Sequence, residues 1–198
     1  MTISSADWLR SQPTLTGTPP VLDLAALPDD PESLFLAWIA AAIEAGVPEP
    51  LAMTLATVGA DGIPDARTLI IKDVDDRGWA FAGLRASRKG EQLSAHPVAA
   101  LNFWWQPVMR AVRVRGAVVE ADAEDSAADL AARSASARAG IRPAEWVLWR
   151  VVPERVEFWQ GAADRRHTRI VYERTHESWS RRILTGHSDD PTNGADNA

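Results

Sequence analysis

From Leu51 onward the chain divides into short apolar or alternating runs separated by tight turns, and this spacing constrains the fold more than any other feature. Residues 51–58 read as a strand, Ala60-Asp61-Gly62 as a hairpin turn, and residues 66–74 as the returning strand, which turns again over 75–78. Residues 79–84, Val98–Trp105 and Arg110–Glu120 follow as three more strands. In the last of these, Val112 and Val114 fall on one face and Arg113 and Arg115 on the other. The first four connections are too short for crossover helices, which excludes a parallel α/β sheet. Residues 146–152, 156–160, 169–174 and 177–184 read as further strands. The set predicts a mainly β (α+β) fold, an antiparallel barrel with flanking helices.

The helices have local signals of their own. Asp30 is a good N-cap, Pro31 suits the first helical position, and Glu32 favours the positive end of the dipole. Phe35, Trp38, Ile39, Ala42 and Ile43 make one apolar stripe, which Gly46, Pro48 and Pro50 bring to an end. Ser87 caps a short helix toward Ala95. Residues 122–139 are rich in Ala, acidic early and basic late, and form a third helix. Asp122, Glu124, Asp125 and Asp129 read as its solvated face. Residues 1–29 form an arm that packs over the domain or a partner subunit, 30–184 the domain, and 185–198 a polar, disordered tail.

Composition narrows the function. The absence of cysteine excludes disulfides, thiolate metal sites and cysteine nucleophiles, and fits a cytoplasmic setting. A net charge of −6 argues against nucleic acid as a partner. No apolar run reaches membrane length, and the N-terminus lacks the basic-then-apolar order of a secretory leader. HExxH, GxSxG, P-loop and GxGxxG motifs are missing, and the four scattered histidines predict no metal site. Trp104-Trp105 reads as core and interface.

Three constellations carry chemistry. Along residues 67–72, alternation sets Arg67, Leu69 and Ile71 on one face and Thr68, Ile70 and Lys72 on the other; a half-buried strand with charged ends is the plain alternative. Ser87-Arg88-Lys89-Gly90 joins a helix start to two cations that oppose the dipole, an arrangement that a bound anion explains and helix stability does not. In residues 157–169, an extended chain sets Arg165, His167 and Arg169 on one side, near Trp159, whose indole can pack on a planar ligand. A solvated helix start and an Arg-rich strand end are the corresponding plain readings. Only two lysines accompany the 19 arginines, and they are Lys72 and Lys89.

Together these residues resemble the pyridoxamine 5'-phosphate oxidase family from about Asp30 to Leu184. GVPEPLAMTLATVGADGIPDARTLIIKD is similar to its first hairpin, SRKGEQLSAHPVAALNFWW to its phosphate-binding turn, and VEFWQGAADRRHTRIVYER to its C-terminal signature. The resemblance implies an FMN-binding split barrel that is a homodimer, with flavin at the interface. Arg67, Thr68, Leu69, Ile70 and Lys72 then line the flavin, and Ser87, Arg88 and Lys89 lie at its phosphate. Trp159 and Arg169 meet its ring system. Lys72, Arg133, Arg165 and His167 match positions that hold a phosphorylated substrate, with Arg165 and His167 at the reacting carbon. The implied reaction passes a hydride from an amine or alcohol carbon to FMN, with dioxygen as acceptor, and yields hydrogen peroxide and pyridoxal 5'-phosphate. The chain departs from the family at Ala82-Gly83, Ala111, Asp129 and Ala137, and its segment after Ala139 is short. These departures leave two alternatives beside that reaction: a sibling FMN oxidase acting on another small molecule, such as a dihydro-aromatic, and a non-catalytic flavin-binding barrel.

Overall fold

The computed structural model describes residues 3–176 and 178–186. The elements in chain order are α1 (Ser5–Arg10), α2 (Pro31–Glu44), β1 (Ala52–Val58), β2 (Pro64–Ile70), β3 (Asp73–Asp75), β4 (Gly78–Leu84), α3 (Arg88–Ala95), β5 (Val98–Trp105), β6 (Arg110–Glu120), α4 (Ala123–Ala132), α5 (Ala135–Arg138), β7 (Trp146–Gln160), β8 (His167–Arg174) and β9 (Trp179–Gly186). The strands pair antiparallel in the order β2-β1-β5-β6-β7-β4-β3, with β8 and β9 branching from β7. The two ends of that order are consecutive in the chain. Ile71 N–H donates to Leu51 O and Lys72 N–H to Ala80 O, so the sheet curls back on itself as a barrel. In β7, residues 146–151 pair with β4 and residues 155–160 with β8, while β6 runs along the other edge. A register shift between Arg115 and Gly116 marks a bulge, which lets this long ribbon bend.

The barrel interior is aromatic. Phe35 of α2 lies 4.3 Å from the Trp79 ring and 4.9 Å from Phe103, and all three are essentially inaccessible. Trp38 meets Phe158 edge-on at 5.1 Å. The Arg110 guanidinium sits 4.1 Å over Trp38, and burial lowers its pKa to about 10. Each such aromatic contributes roughly 2–3 kcal/mol of apolar burial, so α2 is held by its inward face.

Several boundaries and faces differ from the sequence reading. Ile43 is 55% exposed, because the buried stripe turns toward Pro31, Leu34 and Phe35 instead. Residues 66–74 are two strands broken at 71–72, where the barrel closes. Residues 146–160 form one strand, since β6 pairs across the gap. The helix over 122–139 breaks at Arg133, whose ψ of 155° is extended, and resumes after Ser134. Its acidic residues are not merely solvated. Asp122 caps α4, Asp125 pairs with Arg77, and Asp129 accepts from Trp146 Nε1. The arm packs on the domain: Thr18 N–H donates to Pro107 O, Gln160 Nε2 to Pro20 O, and Tyr172 Oη to Pro28 O. The last strand runs to Gly186, so Thr185 and Gly186 belong to the sheet; the tail expected over 187–198 lies outside the described residues, as does Glu177.

Candidate cofactor and substrate site

One group of cations gathers at the start of α3. Ser87 holds the N-cap position, but its Oγ turns back to donate to Leu84 O at 2.6 Å and caps nothing. The amides at the helix start are thereby left for another acceptor. Lys89 Nζ donates to Ser87 Oγ at 3.2 Å and lies over the Trp149 ring. Its ammonium fills the space a Cβ on Gly83 would need, so the small residue there is what admits the lysine. Burial first, and the charge of Arg67 second, push the Lys89 pKa down. Arg67 donates to Thr57 Oγ1 and to Gln92 Oε1 at 2.8 Å, and lies 3.2 Å from Asp65. Arg88 is 76% exposed and donates to Asp65 Oδ2 at 2.8 Å, which with Gln92 holds the Asp65 carboxyl below its ordinary range. Asp65, Thr57 and Gln92 were not singled out in the sequence. The turn of α3 from Arg88 to Gln92 was the available signal, since i and i+4 share a helix face.

The strand before this cradle has a free edge. β2 pairs with β1 alone among the described strands, so its outer edge carries unpaired backbone groups. Thr68 and Ile70 point outward and are exposed, as is Lys72 just beyond the strand. Leu69 turns its side chain into the core, leaving only its backbone to a ligand. Arg133 lies nearby in the fold, because Trp146, on which it stacks at 4.6 Å, is the register partner of Leu84. Asp129 bonds the indole N–H of the same tryptophan at 2.8 Å, so a carboxylate and a guanidinium share one ring.

A second group gathers at the far end of β7. Trp159 meets the His167 ring at 4.7 Å and Trp104 at 5.9 Å, and faces Arg169 across the β7–β8 ladder. Trp104 is 46% exposed whereas Trp105 is buried, so the tryptophan pair divides between surface and core. Ala162 N–H donates to His167 Nδ1 at 3.1 Å, which leaves the proton of the neutral ring on Nε2. Arg165 is not in the extended segment. It sits in the turn before β8 with φ 67° and donates to Thr14 Oγ1 of the arm at 3.3 Å, so only His167 and Arg169 share the strand face. Beside Trp159 a cavity of about 510 Å³ is lined by Asn102, Ala111, Arg113, Glu157, Arg169 and others. Its four arginines, Arg113, Arg155, Arg169 and Arg182, come from four strands and were not read as a group from the sequence.

Trp146 and Trp159 are 13 residues apart on β7, roughly 40 Å along the strand. Arg133, stacked on Trp146, therefore lies toward one end of β7, and Trp159, with His167 and Arg169 beside it, toward the other.

Residues 39–160 match the family model described as pyridoxamine 5'-phosphate oxidase, and residues 146–185 that of the pyridoxine 5'-phosphate oxidase C-terminal dimerisation region. A pyridoxine/pyridoxamine 5'-phosphate oxidase of Thermosynechococcus vestitus is 39% identical over 184 residues, covering 77% of this chain and 87% of the relative. One from Burkholderia multivorans is 40% identical over 184 residues, covering 77% and 86%. Among solved structures, PhzG of Burkholderia lata in complex with tetrahydrophenazine-1-carboxylic acid is similar at a TM-score of 0.78 and 27% identity, covering 85% of this chain and 100% of that one. An FMN-binding protein related to the same oxidases, from Nostoc punctiforme, shares the fold at a TM-score of 0.66 and 19% identity, covering 80% and 98%.

Proposed function

Since the chain belongs to the pyridoxamine 5'-phosphate oxidase family, we propose that it is an FMN-dependent oxidase that works as a homodimer, with one site assembled from the α3 end of one copy and the Trp159 end of the other. The observation that carries this reading is the crowding of Arg67, Arg88 and Lys89 at the first turn of α3. Burial first and the charge of Arg67 second lower the Lys89 pKa, and a phosphate dianion bound there would offset both. The donor set fits the FMN phosphate, and the free edge of β2 over residues 67–70 fits the hydrogen-bonding rim of a flavin ring. The dimer supplies what one chain lacks, and residues 146–185 are the segment that matches a dimerisation region.

Bound FMN supplies a hydride acceptor and a route for electrons to dioxygen. The protein groups do the rest. Trp159 offers an apolar platform, and Arg169 a cation beside the ring. His167, fixed through Nδ1 by Ala162, presents Nε2–H to the substrate and holds or passes a proton there. Arg165 reaches the substrate by leaving Thr14, and so couples substrate binding to the arm. Lys72 and Arg133 grip the distal anionic group. With Lys72, Arg133, Arg165 and His167 present and the relatives named above, pyridoxine or pyridoxamine 5'-phosphate is the first substrate to test.

One observation favours a second reading, an oxidase of another small ring compound. Asp129 shares the Trp146 ring with Arg133 and offsets the charge a phosphate needs. The PhzG relative is described with a ring carboxylic acid rather than a phosphate ester. Anaerobic mixing of the FMN-loaded protein with pyridoxamine 5'-phosphate decides between them. Bleaching of the flavin supports the first reading; bleaching only by a dihydro-aromatic acid supports the second. A protein that stays colourless with added FMN defeats both.

A further inference from the structure

Glu157 lies in the cavity beside Trp159, and its side chain is only 5% exposed. A buried carboxylate is costly unless cations compensate it. Here the compensation is in excess. Arg113 Nη2 lies 2.5 Å from its Oε1, Arg155 Nη2 2.8 Å from its Oε2, and Arg169 Nε 3.8 Å from its Oε1. Glu173 adds one more carboxylate, 3.5 Å from Arg155 and 2.9 Å from Arg182. Three arginines from three strands thus converge on one buried carboxylate.

The register says how Glu157 acts. Glu157 and Trp159 lie two apart on one face of β7, and Arg169 stands directly opposite Trp159. Arg169 therefore reaches diagonally to Glu157 across the floor on which the indole lies. Resting on the FMN reading above, we propose that Glu157 is a positioning residue that holds Arg169 beside the flavin ring and offsets part of its charge, and so holds down the flavin's reduction potential. The ring gains negative charge on reduction, a neighbouring cation favours that state, and a carboxylate paired to the cation weakens the effect.

The test is a dye-coupled reduction titration of the FMN-loaded dimer. Glu157→Gln keeps the shape and removes the charge. Its ratio of reduced to oxidised flavin at a given potential should rise about tenfold, the effect of restoring to Arg169 the unit of charge that Glu157 offsets in a partly solvated site. For a two-electron couple that is a shift of about +30 mV. Arg113→Gln, which leaves more of the Glu157 charge on Arg169 and removes a cation from the wall, should move the potential the opposite way. In the double variant Glu157→Gln with Arg169→Gln the gain should vanish. A Glu157→Gln potential within twofold of wild type, or a gain that survives loss of Arg169, overturns the proposal. Should Glu157→Gln not fold, an unmoved potential in Arg113→Gln overturns it instead. A wild-type protein that takes up no FMN defeats the parent reading and this one together, whereas a coloured protein with unmoved potentials defeats only this one.

Discussion

Replacing Lys89 with methionine separates binding from stability more sharply than any other single change at the α3 cradle. The lysine is half-buried over Trp149, its ammonium stands on Gly83, and its charge is opposed by Arg67. Methionine keeps the volume and removes the charge. In the flavin-free protein the change removes a desolvated cation beside another cation, a gain of at most about 1 kcal/mol given the partial exposure. For a chain of this size that raises Tm by about 2–4 °C. FMN loses a charge-assisted hydrogen bond to its phosphate, worth about 1.5–3 kcal/mol, so Kd should weaken roughly 10- to 150-fold. The two effects have opposite signs, which general damage to the fold cannot imitate. Flavin fluorescence titration gives the affinity, and thermal unfolding of the flavin-free protein gives the stability. An unchanged Kd would refute the phosphate assignment. A Tm that falls in step with affinity would refute the account of Lys89 as a strained cation.

Other expectations follow from the same geometry. Arg165→Ala should lower turnover at least tenfold while FMN retention stays near wild type, and Arg88→Ala should weaken retention first; equal losses of both properties in both variants would contradict the division between the two ends of β7. Asp129→Asn removes the carboxylate that shares the Trp146 ring with Arg133, so KM for a phosphate ester should fall several-fold with little change in kcat, as steady-state kinetics can measure. FMN affinity should decline as pH rises through the Lys89 pKa. Because that pKa is depressed and the phosphate prefers the protonated amine, the decline should begin below the ordinary lysine value of 10.5; a flat profile up to that pH argues against a lysine–phosphate contact.

Much of the scaffold was legible along the chain. Asp30 accepts from Ser33 N–H as an N-cap should, because capping depends on residues three apart. Val112 and Val114 are buried while Arg113 and Arg115 are exposed, because alternation along β6 is set by the pleat itself. The Ala60-Asp61-Gly62 turn closes the first hairpin, with Gly62 at φ 77° where a left-handed residue is needed. The break at Arg133 was not legible, since alanine-rich sequence on either side supports helix equally well.

The sequence by itself determined the antiparallel class, the inward faces of the strands and the clustering of cations at Ser87–Lys89, since each depends on neighbours within a few residues. Only the tertiary structure decided that Asp65 and Gln92 meet Arg67, that Asp129 and Arg133 share one indole, and that Arg113, Arg155 and Arg169 converge on Glu157. Those contacts join strands whose register is fixed by barrel closure and by the bulge at Arg115, and long-range pairing of that kind leaves no period in the local sequence.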